Sequence, residues 1–279
     1  MVLKSYAKIN LSLSINAKLK TGLHNIQSIY CLINLNDKIL VRKLKNNHSD
    51  KIIFSGKFST NISKSGNSVK KILDVMRKNN LITDFYNIKI YKNIPVFAGL
   101  GGGTSNAATI LQYLSKKRIN KKVFNKIVKA VGSDLRLFFE TQGYQKNLMS
   151  VVKLNKKYRL FFLLVFPKIK SSTKKIYSMV KKYSTKKTFL MSNLSSRKNF
   201  INYLKNSKND LQSIVEKKHP IIRELLNNIG STKGCYLSRM TGSGSACYGL
   251  FVDNISSKVA LKKLRKKYPK FWFINANTI

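Results

Sequence analysis

Ala98-Gly99-Leu100-Gly101-Gly102-Gly103-Thr104-Ser105-Asn106 stands between a strand-like run, Tyr86 to Tyr91, and a helical pattern with Ala107, Ala108, Leu111 and Leu114 on one side. The order is strand, loop, helix. Four glycines permit close backbone approach and unusual dihedrals just before a helix, whose first N–H groups and partial positive charge favour an anion. Thr104, Ser105 and Asn106 add short polar side chains at the capping positions. The stretch reads as a loop that wraps phosphates, the plainer alternative being a tight helix start that needs glycine only for packing. No G-x-x-x-x-G-K-[ST] is present, and G-x-G-x-x-G fails because its third glycine falls on Thr104 or Asn106, so neither common nucleotide fingerprint applies.

Outward from the loop, the chain begins β-rich. A strand is expected from Val2 to about Ile15, then others at Gln27 to Asn34, Lys38 to Val41 and Ile52 to Phe54. Val69, Ile72, Leu73 and Met76 recur at helical spacing behind a cap at Asn67 or Ser68, and a second helix is expected from Lys121 to Val131. Near Leu154 the pattern restarts with the apolar strand Leu160 to Phe166. Helices follow at Thr173 to Lys182, Phe200 to Leu204 and Asp210 to Asn228, with strands at Cys235 to Arg239 and Ala246 to Val252. Two directly packed domains, 1–153 and 154–279, are expected.

Composition removes several classes. The apolar run Leu160 to Phe166 is far short of the roughly 20 residues that cross a bilayer, and Lys4 and Lys8 interrupt any leader-like start. A cytoplasmic protein without membrane partners is expected. Cys31, Cys235 and Cys247 form no C-x-x-C pair, and His24, His48 and His219 are scattered, so neither a protein metal site nor a disulfide framework is indicated. The 54 Lys and Arg against 10 Asp and Glu, net +44, suggest nucleic acid at first sight. Yet pairs such as Lys116-Lys117, Lys174-Lys175 and Lys262-Lys263 recur throughout instead of forming one patch, and the chain is rich in Asn, Ile, Phe and Tyr, whose codons are AT-rich. A solvated lysine surface, with no specific nucleic-acid partner, accounts for the charge.

Phosphoryl transfer to a hydroxyl usually needs a carboxylate to orient the hydroxyl or take its proton. Loop, turn and helix positions account for seven of the ten acidic residues, Asp37 among them as a turn residue, leaving Asp134, Glu140 and Asp210. Asp134 follows Gly132-Ser133 and leads into Leu135, Leu137, Phe138 and Phe139, where a helix cap and a catalytic base are equally good readings. Thr241-Gly242-Ser243-Gly244-Ser245, between two apolar strands, is by itself a weak signal.

Taken together, the pieces resemble the GHMP kinases, named for galactokinase, homoserine kinase, mevalonate kinase and phosphomevalonate kinase. Ala7-Lys8-Ile9-Asn10-Leu11 is similar to the opening A-K-[IL]-N-L of the branch that acts on a cytidyl-diphospho-linked methylerythritol in non-mevalonate isoprenoid synthesis. Pro95 to Ala108 resembles that branch's P-x-x-x-G-L-G-G-G-S-S-x-A-A, Met240 to Cys247 its M-S-G-S-G-[SA], Gly132 to Phe139 its G-A-D-V-P-F-F, and Asn209-Asp210-Leu211 its N-D-L. The resemblance implies an α+β fold of two domains, the first like domain 2 of ribosomal protein S5 and the second ferredoxin-like, with the active site in the cleft. It implies ATP as phosphoryl donor, held by Pro95 and by Ala98 to Asn106, with Mg2+ carried mainly by phosphates and water. It further implies Asp134 as base and Lys8 as its catalytic partner, Asn10, Leu23, His24 and Tyr177 toward the small-molecule substrate, and Gly242, Ser243, Gly244 and Ser245 lining the cleft.

Three departures stand out. Leu23 replaces an aromatic expected before His24, Arg136 replaces the proline after Asp134, and an A-x-G-x-G-E stretch is not recognisable in Tyr144 to Val151. Another GHMP kinase acting on homoserine or a mevalonate derivative is the rival within the fold. A non-catalytic nucleic-acid binder is the rival outside it, and a monomer or homodimer is expected.

Overall fold

The computed structural model describes residues 1–45, 48–60, 62–63, 66–115, 119–186 and 189–279, so the lysine pair at 116–117 lies outside the described residues. Its first elements are β1 (Leu3–Asn10), β2 (Ser14–Lys18), β3 (His24–Leu44), β4 (Lys51–Ser55), α1 (Ser68–Lys78), β5 (Phe85–Tyr91), α2 (Gly102–Leu114) and α3 (Lys121–Val131). A 3-10 stretch, Ser133–Phe139, leads to β6 (Gln142–Asn147), β7 (Ser150–Lys153), β8 (Phe161–Phe166), α4 (Thr173–Ser178), α5 (Arg197–Lys205), α6 (Gln212–Lys218) and α7 (Pro220–Gly230). The chain finishes with β9 (Cys235–Met240), β10 (Cys247–Phe251), α8 (Asn254–Lys267) and β11 (Trp272–Asn277).

These elements form two compact units, neither a single run of chain. One comprises Met1–Ala7, Leu35–Val96 and Gly101–Phe139; the other comprises Lys8–Asn34, Phe97–Leu100 and Glu140–Ile279. In the first unit the end of β3 pairs antiparallel with β5, from Lys38 opposite Tyr91 to Leu44 opposite Phe85, and β4 runs parallel to β5. The apolar stripe of α1 is buried at Val69, Ile72, Leu73 and Met76, and Asn67 caps the helix by accepting from the Lys70 N–H at 2.9 Å. Such a cap is worth about 1 kcal/mol. Helix α1 packs against α2, whose Ala107, Ala108, Ile110 and Leu111 are buried, and against α3.

In the second unit four antiparallel strands lie in the order β11-β8-β10-β9. Counted within this sheet along the chain, that order is fourth, first, third, second, with helices before β9 and before β11, the ferredoxin-like arrangement. Helices α7 and α8 cover the sheet. Its core joins Leu163, Val165, Leu225, Ile229, Ala260 and Phe273 to Leu13, Ile15 and Ile26 from the start of the chain. The α+β expectation therefore describes the molecule.

Several expected boundaries move. The expected opening strand divides into β1 and β2, while the two expected next become the 21-residue β3. The helix expected over Asp210 to Asn228 is two helices because Pro220, which lacks an N–H and fits only a first turn, starts α7. Helix α4 stops at Ser178 instead of Lys182, Gly143 lies within strand β6 rather than in a turn, and β6, β7, α8 and β11 are not anticipated by the sequence pattern.

Candidate active site

Helix α2 starts without a capping side chain. Gly101 occupies its N-cap at φ 71°, whereas α1, α3, α4, α5 and α8 begin under Asn67, Asn120, Ser172, Ser196 and Asp253; α6 and α7 also start without a capping side chain. The Ser105 N–H bonds the Gly101 carbonyl at 2.8 Å, so the N–H groups of Gly102, Gly103 and Thr104 come before the first helical bond, at the positive end of the dipole. Gly103 is exposed and Thr104 half-buried, with Pro95, Ala98 and Leu100 buried ahead of them. The side chains of Ser105 and Asn106 turn inward. Ser105 Oγ donates to the Tyr6 carbonyl at 2.6 Å and lies 2.7 Å from Ser5 Oγ. Asn106 Nδ2 donates to Ser5 Oγ at 2.9 Å and to Asp37 Oδ2 at 3.0 Å. An anion at this end of the first unit would therefore meet main chain and Thr104 more than the Ser105 or Asn106 side chains.

In the second unit Lys8 and Asn10 lie on β1 and are buried. Lys8 Nζ donates to Asn10 Oδ1, Asn10 Nδ2 donates to Ser28 Oγ at 2.8 Å, and the Asn10 N–H donates to Thr241 Oγ1 at 3.0 Å. Gly242 is left-handed at φ 56°, and a Cβ there would lie 3.1 Å from the Gly99 carbonyl oxygen and 3.2 Å from both Asn10 Oδ1 and Lys8 Nζ. Gly99, at φ 77°, is equally confined, since a Cβ would collide with the Thr241 carbonyl oxygen. Only glycine satisfies both backbone and space at these two positions. Asn209 holds the turn from beneath, donating through Nδ2 to the Met240 and Gly242 carbonyls at 2.8 Å each. Ser171 Oγ donates to the Ser243 carbonyl at 2.6 Å, and Thr173 Oγ1 lies 2.9 Å from Ser243 Oγ, linking the turn to the start of α4. Ser245 donates to the Ile169 carbonyl.

Helix α4 carries Tyr177. The His24 ring, at the start of β3, lies 5.3 Å from that of Tyr177 and 6.4 Å from that of Tyr183, while Leu23 is 56% exposed. Burial, with Lys18 nearby, lowers the His24 pKa below 6.5 and favours neutral imidazole. Tyr177 is partly buried against the core of this unit. Asp134 is in the first turn of the 3-10 stretch after Gly132, a position the helix dipole favours for a carboxylate. Asp210 accepts from the Ile15 N–H at 2.8 Å and so fixes β2.

The family model for the N-terminal domain of GHMP kinases matches residues 67–135, and that for the C-terminal domain matches 190–270. A 4-diphosphocytidyl-2-C-methyl-D-erythritol kinase of Pelagibacter ubique is 35% identical, covering 99% of this chain and 98% of its own length. One of the same description from Anaplasma phagocytophilum is 33% identical over 96% of this chain and 90% of its own. The chain belongs to the GHMP kinases. A crystal structure of 4-(cytidine 5'-diphospho)-2C-methyl-D-erythritol kinase covers all of both chains at TM-score 0.75 and 20% identity, so the two share the GHMP kinase fold.

As a GHMP kinase the chain accommodates its Arg136 locally. The guanidinium donates to Asn125 Oδ1 at 2.6 Å and lies 5.0 Å from the centre of the Phe124 ring, both on α3. Sequence reasoning had given no role to Ser28, Thr241 or Tyr183, which join Asn10 and His24 only through the fold. It had also given Asp37 to a turn. Asp37 instead lies in β3, fully buried, with Lys92 as its ion-pair partner.

Proposed function

We propose that this GHMP kinase transfers the γ-phosphoryl group of ATP to the 2-hydroxyl of 4-diphosphocytidyl-2-C-methyl-D-erythritol. The observation that carries the reading is end-to-end similarity to kinases so named, in a chain whose glycine loop leads into a helix with no capping side chain. The N–H groups of Gly101 to Thr104 bind phosphate oxygens, and Mg2+ would come with the nucleotide and neutralise charge developing on its phosphates, without a protein carboxylate needed to hold it. Asp134 takes the proton of the acceptor hydroxyl as its oxygen bonds to phosphorus and the bond to the ADP oxygen breaks. Lys8 stabilises the charge that develops, and Asn10 orients the same part of the acceptor. Tyr177 and Leu23 contact the cytosine ring, His24 meets its polar edge, and Gly242 to Ser245 support the acceptor side.

The division at 153/154 belongs to this proposal as a boundary in sequence, with the two family-model matches on either side of it. So do a cytoplasmic location and a monomeric or homodimeric state. No helix among the described residues is long and apolar enough to cross a membrane. The deciding test measures ADP release with the cytidyl substrate, homoserine and mevalonate in parallel. Turnover with the cytidyl substrate alone is expected, and preference for either of the others would overturn the assignment.

A further inference from the structure

Under the start of α2 lies a buried group of charged and polar side chains, all in the first unit. Lys92 and Asp37 form an ion pair with side chains 2% and 0% exposed. Asp37 uses its full capacity: Oδ1 accepts from the N–H groups of Asn93 and Ile94 at 2.8 and 2.9 Å, and Oδ2 accepts from Lys92 and from Asn106 Nδ2. Lys92 Nζ also donates to Asn106 Oδ1 at 3.0 Å. Gly102 completes the arrangement, because a Cβ there would lie 3.3 Å from Lys92 Nζ and 3.0 Å from Ile94 Cγ2. Burial lowers the Lys92 pKa against the opposing pull of Asp37, so this charge is kept out of water at a cost.

A buried pair of this kind adds little net stability, and an apolar replacement is often as stable. A cation beneath a helix N-terminus is unfavourable as well, since that end is already positive. Stability therefore does not explain why the group sits here. Among the described residues, the side-chain bonds of Lys92 and Asp37 beyond each other reach the backbone at 93–94 that leads into the glycine loop, and Asn106 near the start of the helix that leaves it.

We propose that Lys92 and Asp37 are positioning residues for the nucleotide, fixing the two ends of the loop so that its N–H groups converge before ATP arrives. This rests on the reading of Gly101 to Thr104 as the phosphate loop. The pair touches no substrate; it acts through Asn93, Ile94 and Asn106.

The test uses Lys92→Met/Asp37→Asn, which removes both charges without stranding either and leaves an amide oxygen at position 37 able to accept from the 93–94 backbone. The expected result is a KM for ATP raised about tenfold or more, as for a site held slightly out of place, with the acceptor KM and unfolding temperature nearly unchanged. An unchanged ATP KM overturns the proposal, as does an equal rise in both KM values with a fall in unfolding temperature. If the double variant does not fold, Asn106→Ala, which cuts the link to α2 and leaves the ion pair whole, must show the same split, and its absence overturns the proposal. Gly102→Val separates the two readings: if it leaves ATP affinity intact, the phosphate loop itself is wrongly assigned.

Discussion

The two regions to which the proposed reaction is assigned are built from different materials. At the start of α2 the groups offered to a ligand are mostly main-chain N–H, and the nearby polar side chains of Ser105 and Asn106 are spent inside the unit. Around Lys8 and His24 the candidate groups are side chains, held by other side chains such as Ser28, Thr241 and Tyr177. A main-chain site tolerates exchange of most side chains but not obstruction of its glycines. A side-chain site fails one chemical group at a time.

That contrast is most severely tested at the proposed base. Asp134→Asn is expected to lower kcat about 10²- to 10⁴-fold, the usual worth of a general base, while ATP affinity and fold persist. Near-normal kcat would leave Asp134 as a helix-terminal carboxylate. Lys8→Met is expected to act similarly, and the double variant to lose little more than either single one; fully additive losses would mean that the two act separately. At the main-chain end, Gly102→Val is expected to weaken ATP binding about a hundredfold or more by pressing on Ile94 and Lys92, with a smaller effect on acceptor KM.

Smaller effects sharpen the comparison. Tyr177→Ala is expected to raise the KM for the cytidyl substrate about tenfold, stacking on a base being worth roughly 1 to 3 kcal/mol, with ATP affinity unchanged. A change in unfolding temperature alone would make Tyr177 a core residue packed with Ile176 and Val180. The pH dependence of acceptor KM is the mildest probe. His24 has a folded pKa below 6.5, so as pH falls past 6.5 the unfolded chain takes up the proton first and stability begins to drop; the loss is complete once pH passes below the folded value. Acceptor KM should stay flat above pH 6.5, rise only as pH falls through the lowered folded pKa of His24, and lose the dependence in His24→Gln.

Legibility in the sequence followed the same division. The glycine run, the α1 stripe behind Asn67 and the motif at Lys8 and Asn10 are local patterns, and each points to its element without help from distant residues. Asp37 was unreadable because its partner Lys92 is 55 positions away, and a lone carboxylate beside Lys38 looks like any surface turn. Thr241 reaches Asn10 across 231 positions, and Tyr183 stands near His24 beside Ser184, whose N–H bonds the Ile15 carbonyl at 2.7 Å. The break between α6 and α7 is written in Pro220, yet apolar spacing continues through it and masks the break.

The core of the second unit has a consequence for synthesis on the ribosome. Leu13, Ile15 and Ile26 are buried with Leu264, Tyr268 and Phe273, which follow about 250 positions later in the chain. The first unit has all its residues by Phe139. A growing chain can therefore complete that unit while Leu13, Ile15 and Ile26 wait, exposed and aggregation-prone, until about 250 further residues have emerged, a sequence separation that slows closure of the second core.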